Sequence, residues 1–126
     1  RDTGPEELVR ATLESVCYQT FDLLDAKRRD GLQPTRLRVD GGMVRNNWLC
    51  GFLADVLDII VERPLVTETT ALGAAYFARL AVGLWASLEE IRAHWIVDRR
   101  FQPLISESEA ARLLGVSRTT VWKYAQ

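Results

Sequence analysis

The beginning of the chain carries apolar residues at a repeating spacing of three or four positions. This spacing places them on one face of a helix, which we predict over residues 5–27. Thr3 and Glu6 have the spacing of a capping box, and Pro5 is tolerated in a first helical turn. The face expected to be buried consists of Val9, Leu13, Val16, Thr20 and Leu24.

The rest of the pattern alternates short β-branched runs with amphipathic segments. Strands are predicted at 37–39 and 59–61, and a strand-like or extended segment at 96–101. Helices are predicted at 46–57, from Thr69 or Thr70 to residue 82, and at 87–94, with a further helical stretch from Ser106. Alternation of elements with these lengths predicts an α/β fold.

The amino-acid composition indicates a class of protein but no particular function. Of the 126 residues, 48% are hydrophobic and 26% charged, and the net charge is −1, which is ordinary for a soluble globular protein. This balance argues against nucleic acid or an anionic membrane as the main partner. No apolar run approaches the roughly 20 residues of a membrane span. We expect Cys17 and Cys50 to be small buried thiols in a reducing cytoplasm rather than a disulfide.

The segment most informative about chemistry is the turn at Asp40-Gly41-Gly42, between a predicted strand and a predicted helix. Two glycines remove both Cβ atoms, so an anionic or flat ligand can lie against bare backbone. The following helix N-terminus offers free N–H groups, and the amides of Asn46 and Asn47 suit an adenine edge or a ribose hydroxyl. A purely structural explanation stays open, because strand-to-helix turns often need glycine and Asn is a good helix cap.

Several runs in the same order resemble the glycerol kinase group of the FGGY family of carbohydrate kinases. The resemblance covers about residues 1–103, and neither a P-loop nor a dinucleotide-binding glycine motif is present. Residues 1–103 are therefore expected to be the nucleotide-binding region and 104–126 a helical tail. The matching runs are LVRATLES at 8–15, YQT at 18–20, VDGGMVRNN at 39–47, ERP at 62–64, ETTALGAAY at 68–76 and AVGLW at 81–85.

The resemblance implies an actin-like, ribonuclease-H-like ATPase fold and a nucleotide site. It implies that Gly42 packs against ATP or ADP, that Asn46 hydrogen-bonds the nucleotide and that Gly41 shapes the turn. Asp40 either orients the turn or faces the phosphate–magnesium region. The implied reaction is phosphoryl transfer from ATP, with Mg²⁺, to a polyol for which glycerol is the first choice.

The resemblance also implies that the catalytic aspartate, the substrate contacts and the phosphate loop lie upstream of this chain. The chain opens on Arg1 without an initiator methionine, so we expect part of a longer protein that does not catalyse transfer alone. Its partner would be the N-terminal kinase half. An apolar face left uncovered by that half would favour association between copies of the chain.

Residues 106–126 depart from the family pattern and resemble a helix-turn-helix instead. A DNA-binding or other non-catalytic interaction module is therefore the alternative hypothesis. Arg112, Arg118 and Lys123 against Glu107 and Glu109 give this tail a charge of only +1, which argues against DNA. His94 is expected at the surface or as a helix cap, no metal-ligand spacing is present, and core positions are expected for Trp48, Trp85, Trp95 and Trp122.

Overall fold

A computed structural model describes residues 3–104 as four helices and three strands joined by short connections. The predicted order of helices and strands is confirmed, and each helix and strand lies within a few residues of its predicted bounds. In chain order the elements are α1 (Pro5–Arg29), β1 (Arg36–Arg38), a 3₁₀ turn (Gly42–Arg45), α2 (Asn47–Leu57), β2 (Ile60–Pro64), α3 (Thr69–Ala81), α4 (Leu88–Ala93) and β3 (Val97–Phe101).

The strands form one sheet in the order β1-β2-β3. β1 is parallel to β2, and β3 is antiparallel to it. The register places Glu62 of the central strand between Arg38 on one side and Arg100 on the other. Because β1 and β2 are parallel and α2 connects them, the loops that follow both strands meet at the same end of the sheet, beyond the carboxyl ends of the strands.

The hydrophobic core lies between the sheet and two of the helices. α2 packs against α1 on one side and against β2 and β3 on the other, and its apolar side chains supply most of the core. Both cysteines are fully buried and unpaired, as expected. The buried core residues are Cys17, Leu24, Val44, Leu49, Cys50, Leu53, Ala54, Leu57, Ile59, Val61 and Phe101.

α1 differs from the prediction at its first turns. Gly4, not Thr3, occupies the N-cap position, and its N–H donates to the Glu7 carboxylate at 2.7 Å, so the capping pair is shifted by one residue from Thr3 and Glu6. Proline is pre-organised for the first helical position, which Pro5 takes. Val9 is 61% exposed, because the predicted apolar face has packing partners only from Leu13 onward.

The starts of α3 and α4 both lack a side-chain cap hydrogen bond. Glu68 stands at the N-cap position of α3 without a side-chain cap bond, and Thr69 is already the first helical residue. Ser87 precedes α4, but its side chain makes no cap hydrogen bond. The Glu90 carboxylate accepts from Ala86 N–H at 3.1 Å rather than from Ser87 N–H, so neither half of a capping box forms. The helical tail and helix-turn-helix predicted at 104–126 lie outside the described residues, except for Leu104.

Candidate functional site

The loops that follow β1 and β2 are tied together by hydrogen bonds. Gly41 N–H donates to the Thr67 carbonyl at 2.8 Å, and the Thr69 hydroxyl donates to the Asp40 carboxylate. The Arg45 guanidinium lies 3.8 Å from the Glu68 carboxylate. The Asp40-Gly41-Gly42 turn and the start of α3 therefore form a single unit, and the Thr69 hydroxyl serves Asp40 rather than capping its own helix.

The two glycines of the turn play different structural parts. Gly41 has φ of +88°, in the left-handed region that L side chains rarely adopt. Gly42 has no such constraint, and a Cβ placed there would meet nothing within 4 Å. Since neither conformation nor packing requires glycine at position 42, the open space beside that backbone is free for a ligand.

Asn46 combines a structural contact with an available donor. Its side-chain Oδ1 accepts from Trp48 N–H at 3.0 Å and from Leu49 N–H at 3.3 Å, which caps α2. Its Nδ2 amide has no partner within residues 3–104. Asn46 thus caps the helix through oxygen and keeps an N–H₂ donor directed by a fixed side chain.

A groove of about 470 Å³ lies between the first turns of α1 and the start of α2. Asn46 and Trp48 form one wall, and apolar α1 residues form the other. Trp48 stacks on Phe52 with ring centroids 5.1 Å apart, and the Arg10 guanidinium lies 5.9 Å from the Trp48 ring. The groove is lined by Pro5, Glu6, Val9, Arg10, Leu13, Asn46 and Trp48. Of the three predicted nucleotide contacts, therefore, only Asn46 lines it, and the glycine pair lies outside.

Arg63 is a site residue that the sequence did not single out for this role. Its guanidinium donates to the Val44 carbonyl at 3.0 Å and to Asn47 Oδ1 at 2.9 Å, and it binds Asp98 at 2.6 Å. Its side chain is 13% exposed. The residue thereby joins the 3₁₀ turn and the start of α2 to β3. The predicted strand ended at residue 61, so no local pattern indicated this role.

Glu62 forms a second buried polar centre on the opposite face of the sheet. Its carboxylate accepts from Arg100 at 2.9 Å and from Arg36 at 3.4 Å, and Arg38 lies 3.6 Å away. The Arg100 hydrogen bond, with the nearby charges of Arg36 and Arg38, lowers the pKa of Glu62 despite its burial. One oxygen, Oε2, is buried without a hydrogen bond.

The core positions predicted for the tryptophans are wrong for the three that the structure describes. Trp48 is 42% exposed, and Trp85 and Trp95 are half-buried. Each contacts an arginine; the shortest contact joins Arg38 to the Trp95 ring at 3.9 Å. Trp122 lies outside residues 3–104.

His94 is exposed at the end of α4, and its ring lies near that of Trp85. The predicted surface position of His94 is confirmed.

No group of three or more His, Cys, Asp or Glu side chains within residues 3–104 converges on a metal position. In the same part of the chain, every helix falls short of the length and apolar character needed to cross a bilayer.

The parallel β-α-β unit with its glycine turn makes this an α/β domain, and its similarity to solved carbohydrate kinase structures places it in the actin-like ATPase class. Residues 1–82 match the FGGY family of carbohydrate kinases, C-terminal domain. The chain belongs to this family.

Named relatives of the chain are glycerol kinases. It is 62% identical over 127 residues to the glycerol kinase of Alcanivorax borkumensis, a match that covers 100% of this chain and 26% of the relative. It is 59% identical to the enzyme of Ectopseudomonas mendocina, over 90% of this chain and 23% of the relative. The crystal structure of Plasmodium falciparum glycerol kinase with ADP superposes with a TM-score of 0.73 and 29% identity, over 98% of this chain and 24% of that one.

The chain spans about a quarter of the length of each of these relatives. The Alcanivorax match includes the tail region, and the comparisons give the DNA-binding alternative no support.

Proposed function

We propose that this chain is the ATP-binding C-terminal part of a glycerol kinase, which transfers a phosphoryl group from ATP to glycerol and yields glycerol 3-phosphate and ADP. The observation that carries the proposal is the open backbone at Gly42 together with the Nδ2 of Asn46, unbonded within residues 3–104, which lie at the two ends of the same 3₁₀ turn. The ADP named in the Plasmodium structure supports a nucleotide as the ligand.

Each proposed contact has a distinct physical basis. Gly41 supplies a backbone shape that only glycine adopts easily, Gly42 lets the nucleotide approach the backbone, and the Asn46 amide donates a hydrogen bond to it. ATP in the intact enzyme would supply the transferred phosphoryl group, and Mg²⁺ would neutralise its charge; residues 3–104 contain no cluster of metal ligands of their own. Residues 1–103 form the nucleotide-binding region, and 104–126 are a separate tail.

The chain by itself binds nucleotide weakly and does not turn over glycerol, because binding without a base and a substrate site cannot align the reacting atoms. Its partner is the N-terminal half of the kinase, and its place is the cytoplasm, where the two buried thiols stay reduced. A coupled assay that detects turnover of glycerol by the chain alone would contradict this part of the proposal.

Replacing Gly42 with alanine is expected to weaken ADP binding about tenfold while leaving stability unchanged, because the added methyl meets ligand but no protein atom. Gly51→Ala is the matched control, since its Cβ also meets nothing within 4 Å and it lies inside α2. Isothermal titration of the three proteins with ADP provides the measurement. Equal affinities for both variants would remove Gly42 from the site.

Two substitutions at Asn46 separate its cap from its proposed ligand contact. Asn46→Asp keeps a capping oxygen but loses the N–H₂ donor, so we expect normal stability and weaker ADP binding. Asn46→Ala loses both and is expected to be about 1 kcal/mol less stable as well. Thermal unfolding and ADP titration of both variants test this. Unchanged ADP affinity in Asn46→Asp would limit Asn46 to the cap.

A further inference from the structure

Arg45 ends the short turn that carries the proposed nucleotide contacts. It is the last residue of the 3₁₀ turn Gly42–Arg45, three positions after Gly42 and directly before Asn46. Residues three positions apart in a 3₁₀ helix are eclipsed, so their side chains lie on the same side. The Arg45 side chain and the open space beside Gly42 therefore lie on one side of the turn.

Thr67 brings the Arg45 guanidinium close to the glycine pair. The Thr67 carbonyl accepts from Gly41 N–H at 2.8 Å, and its hydroxyl accepts from Arg45 Nε at 3.4 Å. Thr67 itself is buried, so both contacts start from a fixed residue. The guanidinium is thus separated from the backbone of the glycine turn by the width of a single residue.

Arg45 and Arg63 both contact this turn, but they are not equally available to a ligand. The Arg63 side chain is 13% exposed, and its guanidinium is already bonded to several groups of the protein. The Arg45 side chain is 70% exposed and lies 3.8 Å from the Glu68 carboxylate, which is 68% exposed. Because a surface ion pair of this kind contributes little, an incoming anion can replace Glu68 at small cost.

The charges around the turn indicate which part of a nucleotide Arg45 suits. A guanidinium presents a planar fork of N–H donors that matches the oxygens of a phosphate group. The carboxylates of Asp40 and Glu68 lie in the same two loops, and they repel an anion that lies against the turn. A nucleotide phosphate at this place is therefore stabilised by a cation from the protein, and Arg45 supplies one.

We propose that Arg45 binds a phosphate group of the nucleotide and exchanges its ion pair with Glu68 for that phosphate when the nucleotide lies against Gly42. The inference rests on the proposed function and adds a residue to the same site. Arg45 then gives the site its preference for a nucleoside diphosphate over the uncharged nucleoside, and Glu68 competes with the phosphate for the guanidinium.

The test compares ADP with adenosine, which has the same base and ribose but no phosphate. Each is titrated into the full chain without divalent cations and followed by NMR chemical shifts, which are suited to weak binding. We expect Arg45→Ala to weaken ADP binding about tenfold and to leave adenosine binding unchanged. Arg45→Lys keeps the charge but loses the fork, so it should recover part of the ADP affinity.

Two further variants make the Arg45 experiment specific. Arg29→Ala is the matched control, because Arg29 is an exposed arginine that pairs with Asp25 at the end of α1, and it should bind ADP as the unmodified chain does. Glu68→Gln should raise ADP affinity about threefold, because it releases Arg45 and removes a negative charge beside the phosphate. Thermal unfolding verifies that each variant is folded.

The outcomes separate the role of Arg45 from the proposed function. An equal loss of ADP and adenosine affinity in Arg45→Ala would show that the arginine only holds the turn in shape, and no loss of either would show that it has no role in binding. Both results overturn the phosphate contact and leave the nucleotide site in place. Failure of the unmodified chain to bind either ligand contradicts the proposed function, and the role of Arg45 with it.

Discussion

Replacing Arg63 with alanine is expected to lower the free energy of unfolding by about 3 kcal/mol. The substitution removes a largely buried guanidinium that bonds the Val44 carbonyl, Asn47 Oδ1 and Asp98 together. The Val44 carbonyl then loses a charge-assisted partner in a buried position. ADP affinity is expected to fall too, because the 3₁₀ turn beside the glycine pair loses its anchor to the sheet.

Two further variants make the Arg63 experiment specific. Arg99→Ala removes an exposed arginine directly across from Arg63 in the β2–β3 register, and is expected to cost less than about 1 kcal/mol. Arg63→Lys keeps the charge near Asp98 but loses the planar fork, and is expected to recover part of the lost stability. Urea unfolding followed by tryptophan fluorescence measures all three. Equal losses for Arg63→Ala and Arg99→Ala would mean that the hydrogen-bond network contributes nothing specific.

Replacing Glu62 with glutamine is expected to lower stability at pH 7 by about 2 kcal/mol and to flatten its dependence on acid pH. The pKa of Glu62 lies below the ordinary carboxyl value, first because of the Arg100 hydrogen bond and then because of the Arg36 and Arg38 charges. A lowered pKa in the folded state means that the carboxylate stabilises the fold above the ordinary value of about 4.3. That stabilisation is lost as pH falls from there through the folded-state pKa.

Unfolding titrations between pH 7 and pH 3 provide the measurement for Glu62. The unmodified chain should lose more stability below about pH 4.3 than Glu62→Gln does. Glu68→Gln serves as the control, because Glu68 is exposed and its single ion pair among residues 3–104 is the 3.8 Å contact with Arg45. Surface ion pairs contribute little to the free energy of unfolding. Parallel pH profiles for the unmodified chain and Glu62→Gln would show that the three arginines do not act through this carboxylate.

Residue periodicity was sufficient to predict most of the fold. α2 and β3 lie within one residue of their predicted bounds, because amphipathic and β-branched segments carry a signal over their whole length. The 3₁₀ turn at Gly42–Arg45 was not predicted, since four residues are too few for a periodic pattern. The exposure of Val9 was missed for another reason: a pattern indicates which face of a helix is apolar but not how far its packing partner extends.

The candidate site was predictable only where its parts are close in sequence. Gly41, Gly42 and Asn46 fall within six positions, so local rules about glycine and helix caps apply to them directly. Arg63 and Glu62 act through partners 16 to 38 positions away. Their roles follow from strand register, which brings Arg38, Glu62 and Arg100 into one row and which no local pattern specifies.

The bonds from Gly41 to the Thr67 carbonyl and from Thr69 to Asp40 have a thermodynamic consequence. Because these bonds join the glycine turn to the first residue of α3, we expect a ligand that moves one loop to move the other. If nucleotide favours one position of this unit and assembly favours the same position, each event raises the affinity of the other by an equal factor. Two loops only a few residues long would then couple binding at the proposed nucleotide site to the proposed assembly.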